Sequence, residues 1–322
     1  MKKALFVVAA AVLSCLITGS AIASGIVPIE DFRYSLDPTS TSGGKNDVLR
    51  TDISGPTVVV DTLGTDLGLT ATDNLNALSN GAADIFSMGN YLEKDDPNRI
   101  APLIYFSVDT ASVGAAGDVL TEVDKDADIF GSFYPPAVAN GGNKLIHDAS
   151  ALGLVAADNI DALTVDDPDA GSWFFSVTGS EDIQISAGTG SFVKFADGVL
   201  DIGLFEDDDI DAFLFYDSQE AGTLGVLDVG IDMALFSLSR DSLSTFQGAG
   251  TTYAAGVQGQ LSAADILFTD FSGSFSLWAE ADEMGLLSTD NIDALTAPEP
   301  SSLVLLLIGG LGLLVFRRKR RA

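Results

Sequence analysis

Asp166, Asp167 and Asp169 lie within four residues of one another, and Glu206 leads directly into Asp207, Asp208 and Asp209. Acidic clusters of this kind suit calcium, which takes six to eight oxygens from carboxylates, carbonyls and water. Asp124, Asp126 and Asp128, at alternating positions, offer a third set. None has the glycine and closing glutamate of an EF-hand loop. The expectation is therefore a weak site of the extracellular kind, with Ca2+ as the candidate ion. Its candidate ligands are Asp166, Asp167, Asp169, Asp207, Asp208 and Asp209. The competing reading of each cluster is a solvated acidic face.

Other chemistry finds less support. The single histidine, His147, stands beside Asp148 in "KLIHDAS". One imidazole cannot supply a metal-binding pair, and a strand histidine next to an aspartate usually has a structural hydrogen bond. There is no Gly-x-Ser-x-Gly elbow, and the glycine-rich stretches Ser42–Lys45 and Asn140–Asn143 lack phosphate-loop spacing. Carboxylates are so abundant that no glycosidase pair stands out. Trp173 and Trp278 lie in strand-like segments and are expected in the core, not as sugar platforms. No catalytic residue is assigned and no cofactor beyond calcium is implied. The residues favour a non-enzymatic protein, with an extracellular polysaccharide-binding protein or polysaccharide-acting hydrolase as the alternative.

The elements that would position these groups are written as a repeat. "DNLNAL" begins at Asp73, "DNIDAL" at Asp158, "DDIDAF" at Asp208 and "DNIDAL" again at Asp290, intervals of 85, 50 and 82 residues. Each is preceded at fixed register by Leu67-Gly68-Leu69, Leu152-Gly153-Leu154, Ile202-Gly203-Leu204 or Met284-Gly285-Leu286. A motif that keeps its register while its spacing varies marks a repeated supersecondary unit with insertions in its loops. An aromatic-Ser-aliphatic strand recurs at Tyr34-Ser35-Leu36, Phe106-Ser107-Val108, Phe175-Ser176-Val177 and Phe236-Ser237-Leu238. A third strand follows an Asp ("NDVL", "ADIF", "EDIQ", "ADIL"), and a fourth precedes each apolar-Gly-apolar triplet. β-Branched and aromatic residues fill these strands, while Gly, Asn, Asp and Ser crowd the spaces between. No stretch keeps a 3.6-residue period long enough for a helix beyond one short turn.

Four strands per unit leave the first unit without its opening strand and the last hexapeptide, Asp290–Leu295, without a unit to open. Pairing the orphan with the incomplete unit makes four complete units. The expected fold is therefore all-β, a four-bladed β-propeller-like ring of four-stranded repeats closed by its C-terminal strand. A β-sandwich or a stack of β repeats is the alternative. In the hexapeptides the leading Asp is expected to form an Asx-turn, with Ile and Leu in the core and Ala permitting close backbone approach. Segments such as "IDALTVDDPDAGSWFFSV" partly resemble the hemopexin-type four-bladed propeller, without its bracketing disulfide. That resemblance implies architecture and, by analogy, ions along a central channel. The body also resembles exported bacterial proteins that repeat the "LGL…DNIDAL" unit, which implies no activity.

Both ends are set apart. Lys2 and Lys3, the apolar run Ala4–Ile17 and Ala21-Ile22-Ala23 form a secretory signal over residues 1–23, cleaved after Ala23 by the Ala21-x-Ala23 rule. The alternative is a lipoprotein site at Cys15, the one cysteine. Pro298-Glu299-Pro300, the apolar run Leu303–Phe316 and Arg317-Arg318-Lys319-Arg320-Arg321 follow in order over residues 298–322. Fourteen apolar residues are short for a bilayer span, and the basic cluster would stay cytoplasmic. The three features together resemble the PEP-CTERM sorting tail. That resemblance implies Pro298, Glu299 and Pro300 as the sorting motif and an exosortase-like processing enzyme as partner. It also implies a precursor held transiently in the inner membrane, then delivery to the cell surface or extracellular matrix. Exopolysaccharide and biofilm are the associated setting. A plain C-terminal anchor is the competing reading.

Between these ends, residues 24–297 form the repeat-built domain. It holds nine Lys and Arg against 45 Asp and Glu, a net charge of −36. Such a body repels nucleic acid and anionic membrane, so no nucleic-acid partner is expected and any membrane contact is expected through the C-terminal tail alone.

Overall fold

The computed structural model describes residues 31–52, 55–80, 104–122, 125–132, 143–167, 172–216, 226–245 and 261–296. Strands β1 (Asp31–Leu36), β2 (Val48–Asp52) and β3 (Gly55–Thr62) begin the first blade. The second blade is β4 (Leu75–Asn80), β5 (Ile104–Val108), β6 (Ile129–Ser132) and β7 (Asn143–His147). The third is β8 (Ile160–Asp167), β9 (Ser172–Val177), β10 (Ile183–Ser186) and β11 (Phe192–Ala196), and the fourth is β12 (Ile210–Tyr216), β13 (Met233–Leu238), β14 (Ile266–Thr269) and β15 (Phe275–Ala279). The last strand, β16 (Ile292–Thr296), returns to the first blade and pairs antiparallel with β1, giving the order β16-β1-β2-β3. The four antiparallel sheets are the blades of a β-propeller, and the orphan hexapeptide closes the ring. The sandwich and the stack are excluded.

The hexapeptides supply the inner strands β4, β8, β12 and β16. Each carries a β-bulge at the same place. Ile160 pairs with Val177 and Ala162 with Ser176, so Asp161 is the extra residue in its ladder. Asn76, Asp211 and Asp293 are skipped in the same way in the other blades. A bulge bends the strand and re-aims the side chain it inserts. It also exchanges the faces that follow. Ile160 and Leu163 pack toward the second blade and Ala162 toward the fourth, in different clusters.

Each of the four apolar clusters fills the space between two adjacent blades. The aromatic strand residues meet there, as in the Phe174–Phe215 pair across the third and fourth blades, with ring centroids 4.6 Å apart. Ala77, Ala162, Ala212 and Ala294 are fully buried, as close packing of neighbouring inner strands requires. Two of the buried serines of the second strands also tie blades together. Ser35 Oγ donates to the Leu75 carbonyl at 2.5 Å and Ser237 Oγ to that of Ile292 at 3.0 Å.

A feature the periodicity did not foretell follows each fourth strand. Single helical turns at Gly64–Leu67, Ala149–Leu152, Gly198–Ile202 and Ala281–Met284 end on the glycine of the apolar-Gly-apolar triplet in left-handed conformation. Four or five residues are too few to show a helical period. Asp148 caps one of these turns, accepting from the Ser150 amide at 2.8 Å.

Candidate functional site

Three positions of the hexapeptide carry polar side chains, and the fold gives them two different tasks. The leading aspartates close turns. Amides of Thr70, Val155, Phe205 and Leu287, three residues upstream, donate to Asp73, Asp158, Asp208 and Asp290 at 2.6–2.9 Å. Three of these carboxylates also clamp the loop after the second strand of their own blade. Asp73 accepts from the Val113 and Gly114 amides, Asp208 from the Ser244 amide and hydroxyl, and Asp290 from the Thr41 amide and Ser42 hydroxyl. The leading aspartates thus hold turns as expected, but not as Asx-turns, since each carboxylate accepts from an amide three residues upstream and not from one two residues on.

The second and fourth positions converge where the inner strands meet. They are Asn74 and Asn76 from β4 and the residue before it, Asn159 and Asp161, Asp209 and Asp211, and Asn291 and Asp293. Side-chain amides bridge three of the four blade junctions. Asn291 Nδ2 donates to Asp211 Oδ2 of the fourth blade at 2.5 Å and to its own Asp293 at 3.0 Å. Asn74 Nδ2 donates to Asp293 Oδ2 at 2.8 Å and to its own Asn76 at 2.5 Å. Asn76 Nδ2 reaches Asn159 Oδ1 at 3.1 Å. Within the third blade, Asn159 Nδ2 and Thr178 Oγ1 both donate to Asp161 Oδ1, at 2.7 and 2.9 Å.

The fourth junction differs. Between the third and fourth blades the carboxylates of Asp161, Asp209 and Asp211 present oxygens that all lie within 4.8 Å of one another, a spacing able to hold a metal ion. Asp161 and Asp211 are buried and Asp209 is half-buried. Burial, reinforced by repulsion from Asp211 and Asp209, pushes Asp161 well above the usual carboxylate range. Burial raises Asp211 in the same way, with repulsion from Asp293 next, and burial raises Asp293 despite its bond from Asn74. Asp209 is pushed up to about 6 by burial, against amide bonds from Gly179 and Ser180. The ion pairs Arg33–Asp61 and Lys194 with Asp182 and Asp197 serve other carboxylates.

The structure divides the ligands expected from sequence. Asp207 is exposed in its turn, Asp208 is consumed by the Ser244 loop, and Asp209 alone of that trio joins the cluster. Consecutive residues point apart, so their adjacency in sequence does not make a site. Asp166 and Asp167 form the end of β8, while their side chains, and Asp169 entirely, lie outside the described residues. Asp126 accepts from Thr110 and Asp128 from the Ala149 amide, both as structural acceptors. Sequence reasoning missed Asp161 and Asp211 as members of this cluster. The available signal was the single departure at the second position, Asp209 where the other hexapeptides have Asn.

His147 packs edge-on against Trp173, with ring centroids 4.5 Å apart, and burial lowers its pKa. Asp148, its expected partner, instead bonds Ser150. Trp173 is 2% exposed and belongs to the core, while Trp278 is half-buried against Phe268. Ala21, Ala23 and the sorting tripeptide Pro298, Glu299 and Pro300 lie outside the described residues. Among the described residues no helix is long and apolar enough to cross a membrane.

Residues 296–321 match the PEP-CTERM protein-sorting motif. No curated protein matches the chain. The chain therefore carries the tail of an exported protein, held at the membrane as a precursor and processed by an exosortase.

Proposed function

We propose that this chain is a non-enzymatic component of the cell surface or extracellular matrix, delivered there by exosortase processing and acting beside exopolysaccharide in a biofilm. The observation that carries this reading is the position of the sorting motif. It begins at Thr296, where the ring-closing strand β16 ends. A cut near Pro298-Glu299-Pro300 would therefore free a propeller that keeps all four of its closing pairs, Arg33 to Thr296, Tyr34 to Leu295, Ser35 to Ala294 and Leu36 to Ile292. The strongly acidic body would stay soluble and self-repelling once released.

The test is mass spectrometry of surface and matrix fractions from the native host, with and without its exosortase. Mature surface protein should yield peptides through β16 and none from Leu303 onward, and deletion of residues 298–322 should shift the protein to the periplasm or medium. Mature surface protein with Arg321 intact would replace this reading with a plain membrane anchor.

A further inference from the structure

At each amide-bridged junction a positively polarised N–H group lies between oxygens of neighbouring blades. Asn291 does this between Asp211 and Asp293, Asn74 between Asp293 and Asn76, and Asn76 reaches across to Asn159. By the repeat, the residue that should bridge Asp161 to Asp211 is the second of the fourth-blade hexapeptide, and that residue is Asp209. A carboxylate accepts where the amide would donate, so the junction gathers three carboxylates with no side-chain N–H between them, and Asp209 Oδ1 instead accepts the Gly179 amide of the third blade at 2.8 Å.

A second observation adjoins this junction at Asp211. Asn291 is 5% exposed, and its Oδ1 has no hydrogen-bond partner, although its Nδ2 is bound to Asp211 and Asp293. A buried acceptor left without a donor is costly, and an ion or bound water is its ordinary explanation. Carboxylate and amide oxygens gathered without sulfur or imidazole select a hard cation over zinc or copper.

We propose that a divalent cation, calcium by its donor set, binds at the junction of the third and fourth blades through Asp161, Asp209 and Asp211, replacing the amide bridge of the other junctions. Calcium suits the place better than magnesium, because it accepts irregular oxygen sets whereas magnesium demands a near-ideal octahedron. Water completes the set of donors. The site does not depend on how the chain is sorted, since all its ligands belong to inner strands of the ring or the turns leading into them.

The experiment is calorimetric titration of chelator-stripped full-length protein in detergent with CaCl2, MgCl2 and, at matched ionic strength, NaCl, each paired with a thermal melt. Saturable binding of one calcium per chain is expected, with a rise in melting temperature that NaCl does not reproduce. Asp209→Asn restores the amide seen in the other repeats. It should lower calcium affinity at least ten-fold and bring the cation-free melting temperature up toward that of the calcium-loaded parent. Asp161→Asn, which removes a ligand without adding a bridge to the fourth blade, should also lose affinity, whereas Asp207→Asn should bind as the parent does. Absence of saturable calcium binding would overturn the proposal, as would parental affinity in Asp209→Asn and Asp161→Asn. Loss of binding confined to a variant with Asp166, Asp167 and Asp169 all changed to Asn would also overturn it, by moving the ion to that loop.

Discussion

His147 and Asp208 show how one side chain is committed by what surrounds it. Burial against Trp173 holds the histidine pKa below its ordinary value, so the folded state favours neutral imidazole. Asp148 precedes the next helical turn and keeps its carboxylate on Ser150, while the imidazole lies over Gly188 of the neighbouring blade. A lowered histidine pKa makes the unfolded chain bind more protons, so this residue's contribution falls as pH drops below about 6.5. In thermal melts from pH 7.5 to 5, the difference between the parent and His147→Gln should shrink or reverse as the pH falls through that value. A difference independent of pH would show that the ring is not desolvated. Asp208 is fully buried and holds the Phe205 amide together with the Ser244 amide and hydroxyl. Asp208→Ala leaves those donors without acceptors and should cost about 2–4 kcal/mol by denaturant unfolding. A cost below about 0.5 kcal/mol would mean that the loop after β13 is held by other contacts.

At the level of elements, the helical turns act as docking points between blades. The turn Ala149–Leu152 ends at Gly153 with φ 87°, and a Cβ there would stand 2.7 Å from Ser191 Cα in the β10–β11 hairpin of the next blade. The same turn accepts the Gly190 amide on the Ala151 carbonyl at 2.6 Å. Gly203 repeats the arrangement, its missing Cβ replaced by the Gly273 carbonyl of the β14–β15 hairpin. Gly153→Val thus combines left-handed strain with a backbone clash and should destabilise by about 2 kcal/mol or more. Gly179, at φ 76° with open space around its Cβ position, is the control. Gly179→Ala bears the strain alone and should cost only about 1 kcal/mol. Equal melting temperatures for the two variants would show that the docking contact contributes nothing.

For the whole molecule, the decisive feature is closure. The propeller has no gap because β16 supplies the inner strand that β1 through β3 lack, and Leu295 and Ile292 fill the cluster between the fourth and first blades. A chain ending at Thr289 should expose the β1 edge and that apolar face. Loss of the cooperative melt and self-association by light scattering are the expected results. A chain ending at Ala297 keeps the closing pairs and should melt within about 1 °C of the full-length protein, because a ΔΔG near zero leaves Tm unmoved. If the shorter chain melts cooperatively at the same temperature as the longer, the ring is not the unit of stability.

The repeat was legible in the sequence because propeller blades reuse one solution to one packing problem. Leu-Gly-Leu, the Asp-led hexapeptide and the aromatic-Ser strand each meet a local demand: a left-handed cap, a turn closed by a carboxylate and a buried strand. Such demands are written in residue type at fixed register, and four copies with one orphan were enough to imply a closed ring. The sorting tail was legible for a similar reason, since its apolar run and basic cluster work as a linear signal. The polar ring was not. Asp207, Asp208 and Asp209 are neighbours in the chain, yet they face solvent, a loop and the blade junction respectively. Asp161, Asp209 and Asp211 belong to two blades whose hexapeptides start 50 residues apart. The apolar cluster shared by the third and fourth blades brings them together, and bulges that re-aim one residue in each inner strand turn Asp161 and Asp211 to the junction. Local patterning fixes which face of a strand is apolar, but only the packing of one blade on the next decides which carboxylates share a junction.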